Sequence, residues 1–272
     1  MNNWINFPLY ASSCIGLWSI AILGFLFAPQ KHRQKIGLLF SALGLSLLCF
    51  FIVNLWLKLE RPPLRTLGET RLWYTFFLAS IGLLCYARWR MSWLMIYALL
   101  MGILFLTINL LTPQTYNRAL MPALQSPWFI PHVIVYIFSY AILAASSLIA
   151  LKGLYLAYKK KVEKKELLQN LAMADQIVII GFAFLSLGLL FGALWAKEAW
   201  GHYWTWDPKE TWAFLTWFSY LIYIHYRHLH RQQIKPALWI LSFSFVVLLG
   251  CWFGVNYLPA AKTSVHTYSQ QQ

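Results

Sequence analysis

Ile36-Gly-Leu-Leu-Phe-Ser-Ala-Leu-Gly-Leu-Ser-Leu-Leu-Cys-Phe-Phe-Ile-Val-Asn-Leu-Trp56 runs for 21 residues without a charged side chain. About 20 apolar residues are needed to cross roughly 30 Å of hydrocarbon as a helix. The stretch shows none of the in-out alternation of a barrel strand, and inside lipid only helices and closed barrels satisfy their own backbone. It therefore reads as a transmembrane helix. Comparable blocks lie on either side, and the spans are placed near 9–28, 36–56, 72–87, 91–112, 132–151, 176–196, 212–230 and 237–257. The whole composition agrees: 60% of the chain is hydrophobic, 18% aromatic and only 11% charged. A soluble domain carries about a quarter charged residues to wet its surface. The expected fold is an all-α integral membrane protein of about eight transmembrane helices.

The formal net charge of +14 is distributed as a topology signal. Alternating connections place Lys31, Arg33, Lys35, Arg88, Arg90, Lys152, Lys159, Lys160, Lys161, Lys164, Lys165, Arg227, Arg231 and Lys235 on one side, 14 of the 22 basic residues. Cytoplasmic loops collect Lys and Arg, so that side is inner and both termini are expected outside. Five of the eight acidic residues, Glu60, Glu69, Glu198, Asp207 and Glu210, fall on the other side. No nucleic-acid motif accompanies the charge. The cysteines Cys14, Cys49, Cys85 and Cys251 lie in apolar segments without a Cys-x-x-Cys pair and read as small buried hydrophobes. The first apolar block lacks a basic flank and a clear cleavage site, so no cleaved leader is expected.

The expected organisation is a five-helix part over 1–151, with outer loops at 58–71 and 113–131. A charged cytoplasmic connection over 152–175 follows, then a three-helix part over 176–272 with an outer segment at 197–212 and an outer tail at 258–272. The outer segment is unusual. Trp195, Trp200, Trp204, Trp206, Trp212 and Trp217, six of the chain's 15 tryptophans, fall within 23 residues. Tryptophan enriches at membrane interfaces, but such a belt explains one or two per helix end. Asp207 suits an N-cap, Pro208 the first helical position and Glu210 the third, completing a capping box. Ahead of that helix start, Trp200, Tyr203, Trp204 and Trp206 would present flat apolar faces. Such a surface suits a large planar ligand with one charged edge, and porphyrin is the obvious candidate.

The run Trp200-Gly201-His202-Tyr203-Trp204-Thr205-Trp206-Asp207-Pro208-Lys209-Glu210-Thr211-Trp212 closely resembles the WWD signature of haem-handling membrane proteins. Its Pro-Lys-Glu-Thr-Trp continuation resembles the CcsA/ResC family, the haem-handling subunit of System II cytochrome c biogenesis. The sister CcmC and CcmF families share the tryptophans and generally continue differently after the aspartate. The resemblance runs from the Arg61-Pro62-Pro63 loop to the C-terminus.

Haem iron takes axial ligands, commonly neutral imidazole. His32, His228 and His230 lie in or beside basic connections and read as solvated inner-side residues. His202 occupies a variable position of the motif and reads as a non-ligand. The family places outer haem ligands before and after its WWD segment; His132, at the outer end of the fifth span, and His266, in the outer tail, are the matching positions. His225 lies within the seventh span, where an ionisable residue is costly and a functional candidate. Tyr223-Ile224-His225-Tyr226-Arg227 matches the family's transmembrane histidine, against the plainer reading that His225 snorkels to the inner interface. No second histidine of this chain lies inside an apolar segment, so a bis-histidine deep site would draw its other ligand from a second protein. The resemblance implies a CcsB/ResB-like membrane partner for that role.

The implied function is transport and presentation of haem b for cytochrome c assembly. His225 would form a membrane site. The outer site would combine His132 and His266 with Trp200, Tyr203, Trp204, Trp206, Asp207 and Trp212, and Lys209, Arg61 and Arg65 are candidates for the haem propionates. Apocytochrome c with its Cys-x-x-Cys-His thiols is the implied client, in a bacterial inner membrane or a thylakoid membrane. Whether the chain itself takes part in bond formation, as in a holocytochrome-c synthase, is left open. The alternative is a haem exporter or relay that loads a separate chaperone.

Overall fold

The computed structural model describes residues 4–116, 126–159 and 163–258. Among them the secondary structure is helical, without a strand. Eight α-helices succeed one another: α1 (Phe7–Phe27), α2 (Gln30–Leu59), α3 (Leu67–Trp89), α4 (Ser92–Leu111), α5 (Phe129–Tyr158), α6 (Lys164–Trp200), α7 (Pro208–Leu229) and α8 (Ile234–Trp252). Short 3-10 turns follow α4 (Pro113–Tyr116) and α8 (Gly254–Tyr257). Six helices, α1, α2, α4, α5, α6 and α8, are long and apolar enough to cross a membrane. The protein is thus a multi-pass helical membrane protein. α3 and α7, with 23 and 22 residues, have the length but carry more polar and charged side chains.

The helices sort into two compact units, Met1–Leu120 and Met121–Gln272. In the first, α1 packs on α2 and α4, and α3 on α4 and α2. Its centre is Trp18, which is fully buried. The ring lies where a Cβ on Gly44 of α2 or Gly102 of α4 would come within 2.3 and 2.7 Å of it. Glycine at those two positions is what lets an indole sit between the helices. Trp4 stacks on Tyr116 at 4.1 Å near the other end of α1.

In the second unit α5 packs along α6 and α8, and α7 lies against α8 and α6. The grouping by contact differs from the five-plus-three division expected at residue 151, since the fifth helix packs with the last three. Its composition gives the reason. Residues 139–147 are buried all round and are mostly small, among them Ser139, Ala141, Ala144, Ala145, Ser146 and Ser147. Small residues let helix backbones approach closely in a membrane, and Ser139 Oγ donates to the Gly181 carbonyl of α6 at 2.8 Å.

Two expected loops are also shorter than read. Thr66 and Glu69 form a capping box, so α3 starts at Leu67 and the connection expected over 58–71 shrinks to residues 60–66. From the first turn of α3 Glu69 accepts both ends of the Arg61 guanidinium at 3.1 and 3.0 Å, together with the Arg65 and Thr66 amides. The connection expected over 152–175 is helical at both ends, because α5 continues to Tyr158 and α6 begins at Lys164. Leu167, Leu171, Ala174 and Val178 are buried, and their helical spacing gives the charged segment one apolar face to pack. α6 reaches 37 residues, about 55 Å at 1.5 Å per residue, well beyond the hydrocarbon thickness.

Candidate functional site at the α5–α6 end and the tryptophan segment

His132 stands in the first turn of α5, whose start is tied to α6 through a hydrogen bond from Ser126 Oγ to the Glu198 carboxylate. α6 receives the α5 rings on glycine. A Cβ on Gly188 would fall 2.3 Å from Tyr136, and one on Gly192 would fall 2.8 Å from His132. His132 Nδ1 lies 2.9 Å from the Gly188 carbonyl oxygen. A carbonyl oxygen only accepts, so Nδ1 is the donor in this contact. A second hydrogen bond that fixes the tautomer is the usual companion of a metal-binding histidine. The imidazole lies on Trp195 (5.6 Å, 27° between planes) and beside Tyr136 (4.8 Å), and Trp195 meets Trp200 edge-on at 4.8 Å.

α6 ends where Gly201 takes a left-handed conformation (φ +83°). There the Lys197 ammonium reaches the Gly201 carbonyl at 2.8 Å and stands 5.4 Å from the centre of the Tyr203 ring. Tyr203 and Trp206 are more than half exposed, at 56% and 62%. Trp206 also adopts a left-handed φ of 61°, a conformation costly for a side chain with a Cβ. Trp204 meets Trp206 edge-on at 5.7 Å, and its buried indole N–H has no hydrogen-bond partner among the described residues.

The segment closes on the cap of α7. Glu210 Oε2 accepts from the amides of Thr205 (2.8 Å) and Asp207 (3.2 Å), while Asp207 Oδ1 accepts from the Lys209 amide at 2.9 Å. The result is a short non-helical stretch, pinned at both ends, that turns two large rings outward. Flat apolar faces of this kind can hold a planar macrocycle, and the imidazole beside Trp195 can offer a nitrogen to its metal.

Comparison with known proteins decides the family. Residues 6–261 match the model of the cytochrome C assembly protein family. The cytochrome c biogenesis protein CcsA of Amborella trichopoda is 32% identical over 80% of this chain and 81% of its own length. CcsA of Guillardia theta is 30% identical over 98% of this chain and 95% of its own. The chain belongs to the CcsA family of cytochrome c biogenesis proteins.

CcsA of Chlamydomonas reinhardtii is 38% identical over 82% of the chain, which spans 65% of that protein. Among solved structures, the cytochrome c heme lyase CcmF superposes with a TM-score of 0.68 at 15% identity, over 96% of this chain and about half (49%) of that protein; the likeness is one of fold.

Within this CcsA-family chain, the residues singled out from sequence separate by position. Trp200 joins the His132–Trp195 stack, and Tyr203, Trp204, Trp206 and Asp207 form the adjoining segment. Trp212 does not share the exposed surface of Tyr203 and Trp206: it packs on α8, where a Cβ at Gly250 would come within 2.7 Å of its ring. His225 lies farther down α7, about 20 Å along the axis from Trp212. It is exposed, with Nδ1 2.9 Å from the Leu221 carbonyl. It shares a stripe with Leu215, Phe218, Ile222 and Leu229, all exposed. His202, His228 and His230 are exposed as well. His266 lies outside the described residues.

Of the propionate candidates, Arg61 is already matched by Glu69. Trp195, Tyr136, Gly188 and Gly192 were not read as site residues. Their signal was available in the spacing, since Tyr136 follows His132 by one turn and the two glycines repeat at the same interval on α6.

Proposed function

We propose that this protein is the haem-handling subunit of a System II cytochrome c synthase, with eight transmembrane helices, both termini outside and α7's tryptophan segment serving as a WWD platform. Haem b is its cargo. His225 receives haem in the membrane, where a CcsB/ResB-like subunit supplies the second imidazole. The outward stripe around His225 supports this, because a ligand turned away from its own bundle needs a neighbour. Haem then lies at the outer face against Trp200, Tyr203, Trp204 and Trp206, with His132 and His266 as the axial pair and Lys209 near the propionates.

The observation that carries the reading is His132. Its Nδ1 is occupied by the Gly188 carbonyl and its ring lies on Trp195, next to Trp200. In this reading Nε2 is the ligand atom, and the aromatic wall lies beside it. The protein's part is then positioning and exclusion of water. The apocytochrome thiols add across the haem vinyl groups, each forming one C–S bond while its proton passes to the neighbouring vinyl carbon. No external oxidant enters that step. The membrane is a bacterial inner membrane or a thylakoid membrane.

The test is an absorption spectrum of the purified protein with its membrane partner, beside His132→Ala, His225→Ala and His266→Ala. A six-coordinate haem signature that each substitution weakens by about tenfold in retention is the expected result. A colourless protein from haem-replete cells would overturn the reading. Apocytochrome trapped on the complex would separate a synthase from a haem relay that loads a chaperone.

A further inference from the structure

At the other end of α7 from the tryptophans, two side chains converge on one carboxylate. Asp175 of α6 accepts from Arg227 Nε at 3.0 and 3.1 Å, from Arg227 NH2 at 2.8 Å, and from the Tyr223 hydroxyl at 2.7 Å. Arg227 NH1 also donates to the Arg231 carbonyl at 2.8 Å, just past the end of the helix. The pair is shielded, with Arg227 13% and Asp175 24% exposed at the side chain. A bidentate fork with this many satisfied contacts fixes orientation as well as adding energy.

The placement on α7 gives the clamp its meaning. Tyr223 and Arg227 are one turn apart and share a face. At about 100° per residue, His225 lies half a turn round from their mean direction. Tyr223 is buried, while His225 is on the exposed stripe. Holding the 223/227 face onto α6 therefore holds His225 away from it.

We propose that Asp175, Arg227 and Tyr223 are positioning residues for the membrane haem ligand, setting the rotation and depth of α7's lower half so that His225 faces the haem and the neighbouring subunit. This rests on the reading of His225 as that ligand.

The experiment uses the full chain co-expressed with its membrane partner. Asp175→Asn, Arg227→Gln, the exchanged pair D175R/R227D and His225→Ala are purified in parallel, and haem per protein and coordination state are read with and without added imidazole. Asp175→Asn and Arg227→Gln are expected to retain haem about tenfold more weakly and to shift it from six- to five-coordinate. Imidazole should return the six-coordinate spectrum, and the exchanged pair should recover part of the retention. Wild-type spectra in both single variants would overturn the proposal. So would haem and protein yield falling together with an unchanged spectrum per haem, which marks a merely structural role. Retention of the membrane haem by His225→Ala would instead overturn the reading on which the proposal rests.

Discussion

α3 and α7 both begin with an N-cap followed three residues later by glutamate: Thr66 with Glu69, and Asp207 with Glu210. Both glutamates are buried, at 1% and 9% exposure, and both hold back the chain that enters the helix. Beyond that the two starts diverge. Glu69 also takes the Arg61 guanidinium, and Trp73 Nε1 donates to the Pro63 carbonyl at 3.0 Å, so the entering loop is folded onto its own helix. Among the described residues Glu210 takes the Thr205 and Asp207 groups, and the rings of Tyr203 and Trp206 before it are left facing outward. One capping device thus closes a connection in the first unit and props an aromatic segment open in the second.

The sharpest way to break this comparison is to remove the two glutamates separately. Glu69→Ala leaves Arg61 without its carboxylate in a largely shielded setting, and should cost about 3 kcal/mol. Glu210→Ala loses amide contacts at a cap and should cost about 1.5 kcal/mol. Thermal unfolding of both variants in one detergent compares them. Equal losses would mean that the Arg61 fork adds nothing to the first cap.

A smaller effect is expected where α6 makes room for the α5 rings. Gly192→Ala brings a methyl within 2.8 Å of His132, and overpacking of this kind costs about 1–3 kcal/mol. Gly16→Ala has nothing within 4 Å of its new methyl, and should be neutral or stabilising by up to about 1 kcal/mol through helix propensity. Haem retention should fall in the first variant and stay unchanged in the second. Equal retention in both would detach His132's position from the glycine contact.

The two caps also measure how far sequence reasoning reached. Asp207-Pro208-x-Glu210 is legible because an N-cap, a proline and a glutamate stand at capping-box spacing between tryptophans, and the observed cap has that form. Thr66-x-x-Glu69 carries the same signal but sits in a charged, proline-containing stretch that reads as loop, so α3 starts five residues before the expected span. The apolar blocks marked the helices themselves, since a continuous run without alternation has no other solution in lipid. Which helices pack together was not legible from those blocks: hydropathy says that α5 crosses the membrane but not which neighbours bury Ser139 to Ser147. The packing of Trp212 is not legible for the same reason. Its ring is as suited to a platform as that of Trp206, and only Gly250, distant in sequence, draws it into the helix packing.

Trp206 gives the smallest expected change in stability and the most specific one. Its backbone is left-handed (φ 61°), which costs a side chain with a Cβ about 1–2 kcal/mol. Its ring is 62% exposed and touches Trp204 and Phe214 edge-on at 5.7 Å each, contacts worth roughly 0.5–1.5 kcal/mol apiece. Asparagine tolerates the left-handed region, so Trp206→Asn exchanges relief of strain against loss of those ring contacts and should shift stability by less than about 1 kcal/mol in either direction. If the ring is a haem-contacting face, retention of outer haem should nevertheless fall several-fold, since the exposed surface is what the substitution removes. A variant that unfolds more easily by several kcal/mol would instead make Trp206 a packing residue like Trp212. One that keeps both stability and haem would remove it from the platform and leave the His132–Trp195–Trp200 stack as the aromatic wall.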